Sequence, residues 1–156
     1  MASITYLTGD ATAPKLRPAV IAHVCNDIGG WGAGFVLAIS KRWKAPEADY
    51  RAWYKSGKDF ALGRTRLVMV DDDLWVANMI AQHGIRRRAG VPPIRYDALR
   101  EALSELHAQA PREASVHMPR IGCGLAGGTW DEVGPIVEET LVAQGRDVVV
   151  YDFGGA

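Results

Sequence analysis

Hydrophobic and polar positions change period along this chain, and the changes mark its elements. Ser3 to Leu7 alternates around Ile4 and Tyr6 and ends at Thr8-Gly9-Asp10, which predicts a first strand. Ala19 to Cys25 is mostly apolar and reads as a second strand, delivering His23, Cys25, Asn26 and Asp27 to a glycine-rich turn at Gly29-Gly30-Trp31-Gly32-Ala33-Gly34. Phe35, Ala38, Ile39 and Arg42 then fall on one helical stripe. Glu47 to Tyr54 predicts a short helix whose Tyr50, Trp53 and Tyr54 read as core, followed by a polar loop to Gly63. Thr65 to Val70 and Leu74 to Ile80 flank Asp71-Asp72-Asp73 as a hairpin. The three aspartates read as a solvated turn and not as a metal site, because neighbours on a turn rarely converge on one cation.

Ala81 to Arg95 has no period and contains Gln82-His83-Gly84, Arg86-Arg87-Arg88, Gly90 and Pro92-Pro93. Such a stretch in a compact chain is functional or mobile, although the arginines alone read as a solvated loop. Asp97 to Ala110 is an amphipathic helix with Leu99, Ala102, Leu103, Leu106 and Ala110 inward. Ser115 to Met118 is a strand. A helix beginning near Trp130 buries Val133, Ile136, Val137 and Leu141 and stops at Gly145. Thr129 and Glu132 have capping-box spacing, and Pro135 predicts a kink or a second helix start. Val148 to Tyr151 is a β-branched run typical of a strand covered on both faces. About six strands alternate with four or five helices, with one antiparallel hairpin. The predicted fold is α/β, a three-layer α/β/α sandwich on a mixed sheet, as one domain over residues 1–156.

Composition narrows the function. The chain has 18 basic and 18 acidic residues, so neither duplex nucleic acid nor an anionic membrane is indicated as a partner. No apolar run reaches membrane-spanning length and the N-terminus lacks a signal-peptide layout, so a cytoplasmic location is expected. Cys25 and Cys123 fit no metal-ligand spacing and read as reduced thiols.

The chemistry concentrates in Pro119-Arg120-Ile121-Gly122-Cys123-Gly124-Leu125-Ala126-Gly127-Gly128-Thr129-Trp130, a glycine loop between strand and helix. Glycine lets the main chain approach an anion, and the first N–H groups of a helix have no internal partner, so the loop reads as a diphosphate cradle. Gly122 to Gly127 is formally G-x-G-x-x-G, and Asp147 follows about 20 residues later. A dinucleotide fold, however, opens with that motif, whereas here it stands near the end. No Gly-Lys-Ser/Thr follows either glycine cluster, which excludes a Walker loop. A bound diphosphate is therefore expected, held mainly by main-chain N–H groups. The loop at Gly29–Gly34 is a second corner of the same kind, placed to hold the other end of one extended ligand.

Gly9-Asp10, His23-Val24-Cys25-Asn26 with the glycines after it, and Pro119 to Leu125 with Trp130 together resemble a macrodomain, nearest to the terminal ADP-ribose protein glycohydrolase branch and its bacterial relatives. The resemblance runs from about Ile4 to Phe153. It implies an ADP-ribose pocket in which Asp10, with Ala11 beside it, accepts from the adenine amino group, although residue type alone favours a turn or cap role for Asp10. Asn26 and Gly30, Trp31, Gly32, Ala33 and Gly34 would hold the distal ribose. Gly122, Cys123, Gly124, Leu125, Ala126 and Gly127 would embrace the diphosphate, and Tyr151 or Phe153 would flank the adenine, a plain core role for one of them being the alternative.

The catalytic part of the resemblance is incomplete. Where that branch has a lysine and an aspartate this chain has Gln82 and Ala126, and the acid that another branch carries in the first glycine loop is missing. Asn26, Asp27 and His83 remain as candidates at the reactive end: Asp27 as a water-orienting group or a turn carboxylate, His83 as a titrating group or a surface imidazole. Cys123 reads as a small residue among glycines and not as a nucleophile. The expected activity is hydrolytic removal of mono-ADP-ribose from proteins, at an ester to an acidic side chain, with no cofactor and with a monomeric chain. The alternatives are a non-catalytic ADP-ribose reader and an O-acetyl-ADP-ribose deacetylase.

Overall fold

The structure, a computed structural model, describes residues 1–153. Its six strands are β1 (Ile4–Thr8), β2 (Ala19–Asn26), β3 (Thr65–Asp71), β4 (Leu74–Gln82), β5 (Ser115–Met118) and β6 (Val148–Asp152). Its helices are α1 (Phe35–Arg42), α2 (Ala45–Ser56), α3 (Tyr96–Gln109) and α4 (Trp130–Thr140), with a 3-10 turn at Val142–Gln144. The sheet runs β1-β6-β5-β2-β4-β3, parallel throughout except for the β3–β4 hairpin. The mixed sheet is the predicted one.

Side-chain alternation along β2 explains the layers. Val20 and Ala22 pack with α3 and α4, whereas Ala19, Ile21 and Cys25 pack with α1 and α2, so both faces of the central strand are dry. His23, expected to be delivered to the glycine-rich turn, lies inside β2. It is buried, its Nε2–H donates to Asn78 Oδ1 at 2.5 Å, and the Asn78 amide in turn donates to the Pro46 carbonyl at 3.0 Å. Burial pushes the His23 pKa down to about 4, so the ring is neutral. On β5 the buried His117 is also lowered by burial to about 4; its Nε2–H meets Ser115 Oγ at 2.8 Å and its Nδ1 accepts from the Tyr151 hydroxyl at 2.8 Å. No helix among the described residues is long and apolar enough to cross a membrane.

The capping-box expectation for α4 fails. Thr129 has the extended geometry of an N-cap, but its side chain makes no capping bond: the Glu132 N–H that the hydroxyl would have received donates to the Thr129 carbonyl at 3.1 Å. Of the two outcomes expected at Pro135, a second helix start does not occur: α4 runs on through the proline. The preceding residue is Gly134, which has no Cβ for the proline ring to strike, and the orphaned carbonyl belongs to Asp131 in the open first turn. The strand β4 runs on to Gln82, shortening the irregular stretch. Asp73, at φ 55°, closes the hairpin, and no metal-binding group of acidic, histidine or cysteine side chains occurs among the described residues.

Candidate functional site

All the parallel strands deliver their carboxyl ends to one side of the sheet, and there the molecule is grooved. Three cavities lie in a row. One of about 560 Å³ is lined by Asp10, Ala11, Phe35, Arg42, Tyr151 and Phe153, among others. It shares Phe35 and Pro119 with a central cavity of about 410 Å³ bounded by Gly34 on one side and Gly122, Gly124, Leu125 and Ala126 on the other. The central one shares Val24, Ala33, Gln82 and Leu125 with a third, of about 400 Å³, which reaches Asn26, Gly30, Trp31, Gly32 and Ile85. The groove thus joins both glycine corners.

At the first end, Asp10 Oδ1 accepts the Thr12 N–H at 2.8 Å and the Thr12 hydroxyl at 2.7 Å, and Arg42 lies 3.4 Å from Oδ2. Partial burial works against the charge, but Thr12 and Arg42 outweigh it and hold the carboxyl below its usual range. Asp10 is therefore an ionised acceptor with one oxygen committed to its own loop and the other facing the groove's polar wall. The Tyr151 hydroxyl accepts from the Lys15 N–H at 3.3 Å and donates to His117, while Phe153 is exposed. Tyr151 is the fixed wall here. Sequence reasoning missed Thr12 and Arg42, which only the fold brings to Asp10, and it placed Phe35 on a helical stripe without assigning it to the site.

In the centre, the N–H groups of Gly124, Leu125 and Ala126 donate to no protein acceptor among the described residues. Opposite them α1 begins at Phe35 after Gly34, with its first N–H groups open. Two sets of main-chain donors flank one cavity, an arrangement suited to an anion. The helix N-terminus that faces it belongs to α1, however, and not to α4 as the sequence order suggested. The Gly128 N–H is spent on the Gly122 carbonyl at 2.7 Å, and the Thr129 N–H points to the Tyr96 hydroxyl at 3.4 Å. Gly127 and Cys123 also fall outside the cavity lining. Gly127, at φ 79°, gives room to Pro92, whose Cβ would stand 2.7 Å from a side chain there. The Cys123 thiol bonds the Ile121 carbonyl at 3.4 Å, and burial pushes its pKa up, against a thiolate.

At the far end the Asn26 side chain builds the loop that the ligand would meet. Its Oδ1 accepts the N–H groups of Ile28 and Gly30, each at 3.0 Å, and its amide donates to the Gly30 carbonyl at 2.9 Å, leaving one N–H over. The Tyr50 hydroxyl holds Asn26 from below. Trp31 lends the cavity only its edge. The indole is buried, donates to Ser40 Oγ at 2.7 Å and packs on His23 and Tyr50. Asp27 and His83, distant in sequence, meet: Asp27 Oδ2 lies 2.7 Å from His83 Nδ1, and Asp27 Oδ1 accepts the Gly84 N–H at 2.8 Å. Nδ1 of the His83 ring faces the carboxylate, and its Nε2 has no hydrogen-bond partner among the described residues. The pair stands beside Asn26 and Gln82, one residue outside the cavity lining. Gln82 donates to the Gly84 carbonyl at 3.0 Å.

No protein-family model matches the chain. The fold and sequence nevertheless have clear relatives. A protein of unknown function from Bacteroides thetaiotaomicron is 55% identical, with 97% of this chain and 99% of that one superposed at a TM-score of 0.95. A macrodomain protein from Streptomyces coelicolor is 51% identical, with 97% of this chain and all (100%) of that one aligned at a TM-score of 0.86. The chain belongs to the macrodomain family. Among curated relatives of this macrodomain, the mouse chromodomain-helicase-DNA-binding protein 1-like is 33% identical over 97% of the chain, which spans only 18% of that protein's length. The human ADP-ribose glycohydrolase OARD1 is 28% identical, with 95% of this chain and 90% of that one aligned.

Proposed function

We propose that this macrodomain binds ADP-ribose along the groove and acts as a hydrolase that removes mono-ADP-ribose from modified proteins, at an ester to an acidic side chain. The observation that carries this is the continuity of the groove: an ionised Asp10 at one end, opposed main-chain donors at the centre, and a glycine loop with the Asp27–His83 pair beside it at the other. The relative named as an ADP-ribose glycohydrolase supports a hydrolytic reading. The adenine would lie between Asp10 and Tyr151, the diphosphate between Gly34 and Gly122 to Ala126, and the distal ribose over Asn26, Gly30 and Gly32.

Hydrolysis adds water across the bond at the distal ribose, releasing ADP-ribose and the free carboxyl of the carrier. Gln82 and Ala126 supply neither an amine nor a carboxylate, so the chain's contribution is to hold a water between the diphosphate and the ribose. The substrate's own phosphate oxygens share the proton. His83 Nε2, fixed by Asp27, is the nearby group able to take it up. The test is incubation with a labelled, automodified ADP-ribosyltransferase. Release of the label is expected; label unchanged over hours, with ADP-ribose still bound, would instead favour the second reading, a non-catalytic reader. That reading is motivated by the same Gln82 and Ala126. A small ester such as O-acetyl-ADP-ribose differs only in the leaving group and is tested in the same assay.

A further inference from the structure

The segment after β4 is irregular but built. At its base Asp27 holds His83 and Gly84, the His83 N–H donates to the Pro93 carbonyl at 2.8 Å, and the Ile94 N–H donates to the Ala126 carbonyl at 3.0 Å. At its tip Arg88 and Val91 exchange main-chain hydrogen bonds at 3.0 and 2.8 Å across Ala89 (φ 50°) and Gly90 (φ 80°), the two left-handed residues of a type I′ turn. Residues 84–92 are thus a finger fixed at one foot to the loop after β2 and at the other to the glycine loop after β5. It rises beside the far end of the groove.

Three arginines, Arg86, Arg87 and Arg88, are exposed on this finger, and none has a carboxylate within 4.0 Å among the described residues. Of the ten other arginines, seven have such a partner, and Arg95, Arg112 and Arg146 lack one among the described residues. Arg87 steadies the finger by donating to the Gly90 carbonyl at 2.7 Å. Between the arginines and the groove, Ile85 and Leu125 line the distal cavity yet remain 55% and 68% exposed. In a chain of zero formal charge this is a local concentration of unpaired cations next to uncovered aliphatic surface.

We propose that the finger binds the polypeptide that carries the modification, reading an acidic segment around the modified side chain. Arg86 and Arg88 would meet its carboxylates, and Ile85 with Leu125 the aliphatic stem of the modified residue. The inference rests on the hydrolase reading above and names its substrate class. A nucleic-acid carrier is disfavoured, because the finger has no aromatic side chain on which a base could stack.

The test uses two peptides of equal length with one ADP-ribosylated glutamate, flanked by acidic or by neutral residues, and an ADP-ribosylated single-stranded oligonucleotide. The full chain, R86Q/R88Q and R86K/R88K are compared by kcat/KM, or by Kd where a substrate is bound uncleaved, with the Kd for free ADP-ribose beside them. A preference of about tenfold for the acidic peptide is expected at low salt. It is lost in R86Q/R88Q and kept in R86K/R88K, with free ADP-ribose bound equally by all. Equal handling of the two peptides, or a preference indifferent to R86Q/R88Q, overturns the proposal. So does an arginine-dependent preference for the oligonucleotide. Failure of the wild-type chain to bind free ADP-ribose would overturn the underlying function instead.

Discussion

Substituting Gly34→Ala probes the central cavity of the groove. Gly34 sits at φ 84°, ψ −150°, a region open in practice only to glycine, so a Cβ there costs about 1–3 kcal/mol if the main chain stays in place. Direct collision is the smaller effect. The added carbon would meet Leu125 Cδ1 at 3.3 Å, and Leu125 is 68% exposed and free to turn away. Gly32 and Ala33 are exposed too, so relaxing the loop is easier than storing the strain. Relaxation moves the open N–H groups at the start of α1 away from the phosphate position. Losing one charge-assisted bond there, at about 1.5–3 kcal/mol, weakens ADP-ribose binding by about 10- to 100-fold. Gly57→Ala is the control. Gly57 caps α2 at φ 66° with no atom within 4 Å of a built Cβ, and it costs about 1–2 kcal/mol of stability, or a few degrees of Tm. Calorimetry with ADP-ribose and thermal melts on both variants separate the effects. If Gly34→Ala binds within about twofold of wild type while melting like Gly57→Ala, the reasoning about the groove is wrong.

Asp27→Ala removes the acceptor of two hydrogen bonds; turnover is expected to fall at least about tenfold with ADP-ribose affinity within about threefold, whereas equal turnover would separate the pair from the reaction. Both buried histidines are held neutral, with pKa values of about 4 against an unfolded value near 6.5, so the unfolded chain binds more protons below pH 6.5. Stability should therefore be level near pH 7–8 and fall from about pH 6.5 to 4, by about 3 kcal/mol per histidine at most. Urea unfolding at stepped pH checks this, and a flat profile down to pH 5 contradicts it. Tyr151→Phe leaves the Lys15 N–H and His117 Nδ1 without their partner and should cost about 1–3 kcal/mol in the same urea assay, a loss under about 0.5 kcal/mol showing that water replaces the hydroxyl.

The strands and helices were legible because the centre of this sheet is dry on both faces, so that β2 and β6 read as apolar runs while α3 and α4 keep a helical stripe. Glycine clusters at strand ends located both corners of the groove. What escaped depends on contacts far apart in the chain. Nothing near Asp10 announces Arg42, which reaches it from the end of α1, and although Asp27 and His83 were both placed at the reactive end, nothing in the sequence announced that they bond each other. The assignment of the phosphate cradle to the α4 N-terminus followed chain order, whereas the strand order β5-β2 sets α1 against that loop instead. Asn26 and Trp31 show a subtler limit: residue type suggested ligand contacts, but most of the hydrogen-bonding capacity of both shapes the loop itself.

The central claim is that one ligand spans all three cavities. Calorimetric titration of ADP-ribose beside AMP tests it directly, because in the proposed orientation AMP would fill only the Asp10 end and part of the centre. One site per chain, with ADP-ribose bound at least about tenfold more tightly than AMP, is the predicted result. Equal affinities, or no heat with ADP-ribose, would contradict it.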